Sequence, residues 1–216
     1  MTSGMLSYKG ALINGKWTGG ENAEIISVLN PSTGKEIGQI SACGKDLANK
    51  ALEAAEASFI TWSKLGINER AKHILAFRDV LVAKKVEIMD VLVKETGKVT
   101  SNADYDFNML TDCLNFHLDE VRRNYGTVYP DPDNSNLSYT KYSPVGVVVC
   151  VLTWNFPLLN LGYKLGPILA TGKVFLFSCV STYIFFFCTL GRIECEFRNN
   201  STFLPTYLNI EAQSLF

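Results

Sequence analysis

The longest uninterrupted apolar run in the first three quarters of the chain is Val145 to Leu152, rich in valine and free of charge. Such a run predicts a parallel strand covered on both faces, and so a central one, rather than a half-exposed strand. Thr153, Trp154 and Asn155 interrupt it. Pro157 suits the first turn of a helix, the segment to Ala170 is long enough for about four turns, and Gly172 is a natural stop. Upstream, a period near 3.6 predicts four helices. The first covers Asp46 to Trp62, with Leu47, Ala51, Ala54, Ala55 and Phe59 on one face and Asp46 placed to cap it or to oppose its dipole. The others run from about Asn68 to Lys85, from Val86 to Glu95 with a stop at Gly97, and from about Asn102 to Asn124.

Shorter signals flank these helices. Asn14-Gly15 between apolar residues predicts a hairpin turn, and Pro31 to Gly34 predicts another before the alternating strand Glu36 to Ile40. Thr127 to Asn136 reads as a surface connection and Leu137 to Tyr142 as a short alternating strand. A strand, a polar turn and a helix in this order place the turn where open α/β sheets bind their ligands, at the carboxyl end of a strand. Leu152, Thr153 and Trp154 are therefore candidate cofactor-binding residues. Asn155 is a candidate site residue or, equally on residue type, the residue that caps the following helix.

Composition narrows the function classes. The net charge of −1 and the absence of a basic stripe argue against nucleic acid as a partner. Neither a signal peptide nor an arginine-rich leader opens the chain, which makes the cytoplasm the expected compartment. His73 and His117 lie far apart without further ligands at metal spacing, so no metal site is expected. Asp104, Asp106, Asp112, Asp119 and Glu120 fall along one predicted helix and read as a solvated face. Cys150, inside the apolar strand, reads as a small hydrophobe, and Cys195 lies between two glutamates that disfavour its thiolate.

Ile13-Asn14-Gly15-Lys16-Trp17, Asn30-Pro31-Ser32-Thr33-Gly34-Lys35, Glu95-Thr96-Gly97-Lys98 and Trp154-Asn155-Phe156-Pro157 occur in the order and spacing of one family. With them, roughly residues 8 to 172 resemble the amino-terminal part of the aldehyde dehydrogenase superfamily. The resemblance implies an α/β fold with an incomplete Rossmann-like cofactor domain, hairpins and helices, and a strand near 127–143 that belongs to an oligomerisation arm. It implies NAD or NADP as cofactor, a small aldehyde as substrate, and homo-oligomers that are not expected to form properly here. It also implies that Asn155 donates its amide to the oxyanion formed when a thiolate attacks the aldehyde. Lys164 matches a family lysine that assists proton movement, against the plainer reading of a solvated helix lysine.

The resemblance by motif ends at 172, which divides the chain into 1–172 and a tail of 173–216. The family's next strand ends in a lysine-proline pair whose lysine holds the ribose, where Ser178-Cys179 stands instead here, and the segments that carry its nucleophilic cysteine and general-base glutamate are missing. Residues 174–190 carry no charge, and eight of the chain's 13 phenylalanines fall in 174–216, a composition expected of sequence not selected to fold in this place. The apolar run suits an aggregating strand, or less well a membrane span near the lower limit of length. The expected function is NAD(P)-dependent oxidation of an aldehyde to a carboxylic acid, with this chain inactive alone. The alternative is a non-catalytic truncated product or interaction fragment acting through Leu137 to Tyr142.

Overall fold

The computed structural model describes residues 6–8, 10–19, 23–179, 188–190 and 192–193. Strands β1 (Leu6–Tyr8), β4 (Ile25–Leu29) and β5 (Glu36–Ser41) form one sheet in the order β1-β5-β4, while β2 (Ala11–Ile13) and β3 (Lys16–Thr18) form a separate hairpin. Asn14 and Gly15 both take positive φ, at 51° and 75°, the pair of angles that a two-residue hairpin turn compatible with strand twist requires. The turn before β5 is closed by Gly34 N–H donating to Asn30 O at 2.8 Å.

Four helices follow: α1 (Lys45–Trp62), α2 (Ile67–Ala83), α3 (Lys85–Thr96) and α4 (Thr100–Arg123). Asp46 lies in the first turn of α1 without capping it, so its contribution is to the helix dipole. Helix α3 stops at Gly97, whose φ of +70° permits the left-handed cap that closes the helix against Val93 O. A Cβ at Gly97 would stand 2.8 Å from Pro31 Cγ, so two of the sequence motifs touch at this point.

The strand over Leu137 to Tyr142 is shorter than the pattern predicts. Within Leu137 to Tyr142, β7 occupies only Ser138–Tyr139, and its partner β6 (Val128–Tyr129) lies inside the segment read as a connection. Between them Asp131 accepts from the N–H groups of Ser135 and Asn136, and these bonds to the charged form hold its carboxyl below the usual range.

The last unit is β8 (Val147–Leu152), α5 (Pro157–Ala170) and β9 (Val174–Cys179), with β8 and β9 parallel from Val147↔Val174 to Leu152↔Cys179. Two expectations change here. The strand does not begin at Val145, because Gly146 sits at φ +118° and breaks the extended backbone. Nor is it covered on both faces: Cys150 and Leu152 are 3% exposed, whereas Val149 and Val151 are 53% and 49% exposed. Among the described residues β8 pairs with β9 alone, so it is not central in this sheet.

Helix α5 packs along α4 at close range, because Gly162 and Gly166 present no side chain to Leu110, Cys113 and His117. Its far end is held by Arg70, whose Nε donates to Ala170 O at 3.0 Å. One cluster of buried residues includes Ile40, Ile74, Phe77, Leu92, Phe107, Leu110, Leu161, Leu165 and Phe175. A smaller one joins Ala48, Ala51 and Ala54 of α1 to Ala11 and Ile13 of β2 and Leu176 of β9.

Residues 174–193, where described, pack against this fold. Val174 and Phe175 are fully buried, Cys188, Leu190 and Ile193 join the main cluster, and Thr189 shares a hydrogen bond with Tyr8 Oη at 3.3 Å. Arg192 pairs with Glu87 of α3. Of the two readings of the apolar run, Val174–Cys179 is a strand, and no helix among the described residues is long and apolar enough to cross a membrane. Cys195 and the readings for residues 194–216 lie outside the described residues.

Candidate functional site at the carboxyl end of β8

The chain leaves β8 through Thr153, Trp154 and Asn155, all exposed, and enters α5 at Pro157. The sequence left open whether Asn155 caps that helix. It does not: the N-terminal flanking residue is Phe156, no side chain of the turn caps α5, and the Asn155 carbonyl oxygen Oδ1 accepts instead from the Thr153 hydroxyl at 2.9 Å. The Thr153 oxygen in turn accepts from Asn160 Nδ2 at 2.7 Å. Thus the amide –NH2 of Asn155 is left without an acceptor among the described residues.

The cap comes from α4. Asp106 Oδ1 accepts from Leu159 N–H at 2.7 Å, satisfying one of the free donors in the first turn of α5, where a negative charge also meets the positive end of the helix dipole. The second oxygen of the same carboxylate lies 2.7 Å from Lys98 Nζ, with Asp106 fully buried and the Lys98 side chain 12% exposed. Lys98 Nζ further donates to the backbone carbonyl of Asn155 at 3.1 Å and stands 4.7 Å from the centroid of the Phe156 ring. Tyr105 meets that ring edge-on, with centroids 6.5 Å apart. The turn is therefore clamped by one lysine and one aspartate from outside it. Asp106 does not belong to a solvated face, as its helix pattern suggested.

Leu152 is buried, whereas Thr153 and Trp154 are exposed, Trp154 by 58%. Lys164 is also exposed and lies one turn beyond Asn160 on α5. Its charge opposes the effect of burial on Cys150, yet burial wins and pushes that thiol up to about 11. Cys43 is pushed up to about 12, and Cys113 is also raised, in each case first of all by burial. These three free thiols are poor nucleophiles.

Sequence reasoning missed Asp106 and Asn160. Asp106 carries no local signal, since its partners are 8 and 53 residues away in sequence. Asn160 had one: a residue on the first turn of α5 stands over the turn that precedes it.

The chain matches the family model "Aldehyde dehydrogenase family" over residues 17–183, which includes all of β9. It is 33% identical over 170 residues to the mitochondrial succinate-semialdehyde dehydrogenase of Oryza sativa subsp. japonica, covering 79% of this chain and 32% of that protein. Identity to the mitochondrial aldehyde dehydrogenase of Rattus norvegicus is 31% over 166 residues, covering 75% and 32% respectively. The chain thus spans about a third of the length of the curated relatives it matches. Among solved structures, an NADP-dependent enzyme of E. coli superposes with a TM-score of 0.87 at 25% identity, covering 98% of this chain and 44% of that one. A succinate-semialdehyde dehydrogenase of Burkholderia pseudomallei gives 0.84 at 22% identity, covering 96% and 43%.

Proposed function

The chain belongs to the aldehyde dehydrogenase family, and we propose that its β8–α5 turn is the oxyanion-donor and cofactor-adjacent part of a site for NAD(P)-dependent oxidation of an aldehyde to a carboxylic acid. The observation that carries the reading is the amide of Asn155. Its carbonyl end is taken by Thr153, its backbone is held by Lys98, and the residue is exposed at the carboxyl end of a parallel strand. A fixed donor aimed at a developing oxyanion is worth about 3 kcal/mol, or ~100-fold in rate, because it needs no reorganisation as charge forms.

The residues present fit a nicotinamide cofactor in part. Thr153, Trp154 and the backbone of Leu152 would line its place, at the strand end where α/β sheets receive nucleotides. The cofactor would supply the hydride acceptor. NADP is named for the E. coli neighbour and for the D-glyceraldehyde dehydrogenase of Thermoplasma acidophilum, a relative 28% identical to this chain. No lysine stands at the end of β9, where the family places the ribose-binding one and this chain has Ser178, which supports weakened binding. Lys164, exposed beside Asn160, is proposed as the proton-handling lysine.

Taken alone, the chain is proposed to be inactive. Cys43, Cys113 and Cys150 are buried and held as thiols, so none of them supplies the attacking thiolate. The same free cysteines suit a reducing compartment; the cytoplasm is proposed, although several relatives are named as mitochondrial. The test is NAD(P)H formation by the purified chain with several small aldehydes, beside Asn155→Ala. Absence of turnover in both is the expected result. Turnover abolished by Asn155→Ala would support the donor and overturn the inactivity, whereas turnover indifferent to Asn155→Ala would overturn the donor itself.

A further inference from the structure

We propose that Thr153 and Asn160 are positioning residues that set the direction of the Asn155 amide, through a one-way chain of hydrogen bonds running from α5 back into the turn. The inference rests on the reading of Asn155 as an oxyanion donor. A threonine hydroxyl has a single proton. Asn160 Nδ2–H donates to Thr153 Oγ1 at 2.7 Å, which leaves that proton for Asn155 Oδ1 at 2.9 Å. With its carbonyl oxygen engaged, Asn155 turns both amide protons away from the turn and keeps them for a ligand.

The opposite direction would also satisfy the hydroxyl. Asn155 would then donate to Thr153 and Thr153 to the carbonyl oxygen of Asn160, and one of the Asn155 protons would be consumed within the protein. In the structure Asn160 presents its donor end to Thr153, and this orientation sets the direction of the chain. Its position favours that role: it is half-buried on the first turn of α5, a helix whose N-terminus is held by the buried Asp106. The exposed turn thus takes its orientation from a rigid element.

The experiment is nitrogen-15 NMR on the full 216-residue chain, with the side-chain amide of Asn155 identified by its loss in Asn155→Ala. In the native chain the amide is expected to be as rigid as the backbone, and both protons should exchange with water as fast as those of the exposed Asn124. Thr153→Val should lower the heteronuclear NOE of Asn155 to that of Asn124, and Thr153→Ser should restore it. Asn160→Asp can only accept, so it should reverse the chain: the amide stays rigid while one of its protons becomes protected several-fold. A protected proton in the native chain, or an Asn155 amide unmoved by Thr153→Val, would overturn the proposal. So would an Asn160→Asp spectrum with both protons still freely exchanging. The readout does not depend on turnover, so the positioning can fail while the oxyanion role stands, and the reverse.

Discussion

Lys98 donates to the backbone carbonyl of Asn155 at 3.1 Å across 57 residues of sequence, and the same ammonium pairs with Asp106 at 2.7 Å. One charge thereby ties the loop after α3, the second turn of α4 and the turn after β8 together. Because Asp106 is fully buried, its charge depends on Lys98 and on Leu159 N–H for compensation. Lys98→Met should cost ~3 kcal/mol by leaving that carboxylate unpaired, as removal of one partner of a buried pair does. Asp106→Asn, which keeps an acceptor for Leu159 N–H, should cost less. Urea unfolding of the two variants checks the order; equal midpoints with the native protein would mean that the pair contributes nothing to stability.

Helices α4 and α5 approach closely at Gly166. A Cβ there would stand 2.7 Å from His117 Cδ2 and 3.0 Å from Cys113 O, and the second of these is backbone in the middle of a long helix. Gly166→Ala gains roughly 1 kcal/mol of helix propensity but meets an overpacking cost of up to ~3 kcal/mol. The expected result is a net loss of about 1–2 kcal/mol, read from thermal or urea unfolding. An equally stable Gly166→Ala would show that the two helices can separate without penalty.

The same contact sets a pH dependence. Burial against α5 holds the His117 imidazole below its ordinary value, with the neighbouring Glu120 opposing the shift. Between the lowered folded value and the unfolded value near ~6.5, the unfolded chain binds the extra proton. Stability therefore rises with pH across that window, is fully present above it, and is lost as pH falls through the folded value. His117→Gln should flatten the slope of unfolding free energy just below the unfolded value near ~6.5. A slope unchanged in that variant would place its origin in other groups.

Much of this was legible in local signals. Pro157 and Gly172 bracket α5 at the limits expected, and Asn14-Gly15 forms its hairpin, since both rest on backbone preferences carried by single residues. The position of Asn155 after a parallel strand was readable for the same reason. What escaped depends on contacts far apart in sequence. The burial of Asp106 comes from Lys98 and from the first turn of α5, neither of which its own helix pattern contains. The exposure of Val149 and Val151 reflects which strands flank β8, and valine runs do not encode the neighbour. Phe175 and Leu190, read by composition as unselected sequence, are buried because an apolar residue beside a core is buried whatever the reason for its presence.

Cys150 gives the sharpest check on whether a described cysteine can act as a nucleophile. It sits on the inner face of β8 at 3% exposure, and burial raises its thiol to about 11 even with the charge of Lys164 acting against the shift. Raised from an ordinary value of 9.0 to about 11, it carries at pH 8 a thiolate fraction on the order of a hundredth of an ordinary cysteine's. Alkylation by iodoacetamide should thus be slowed ~100-fold by ionisation alone, and further by lack of access. Cys43, raised to about 12, should be slower still. Mass spectrometry of peptides from native and guanidinium-unfolded chain would report both sites in one experiment. Protection that vanishes on unfolding is the expected outcome. Rapid native labelling of Cys150 would mean that β8 opens its inner face to solvent, a few residues from Asn155, and that a thiolate is within reach of the turn after all.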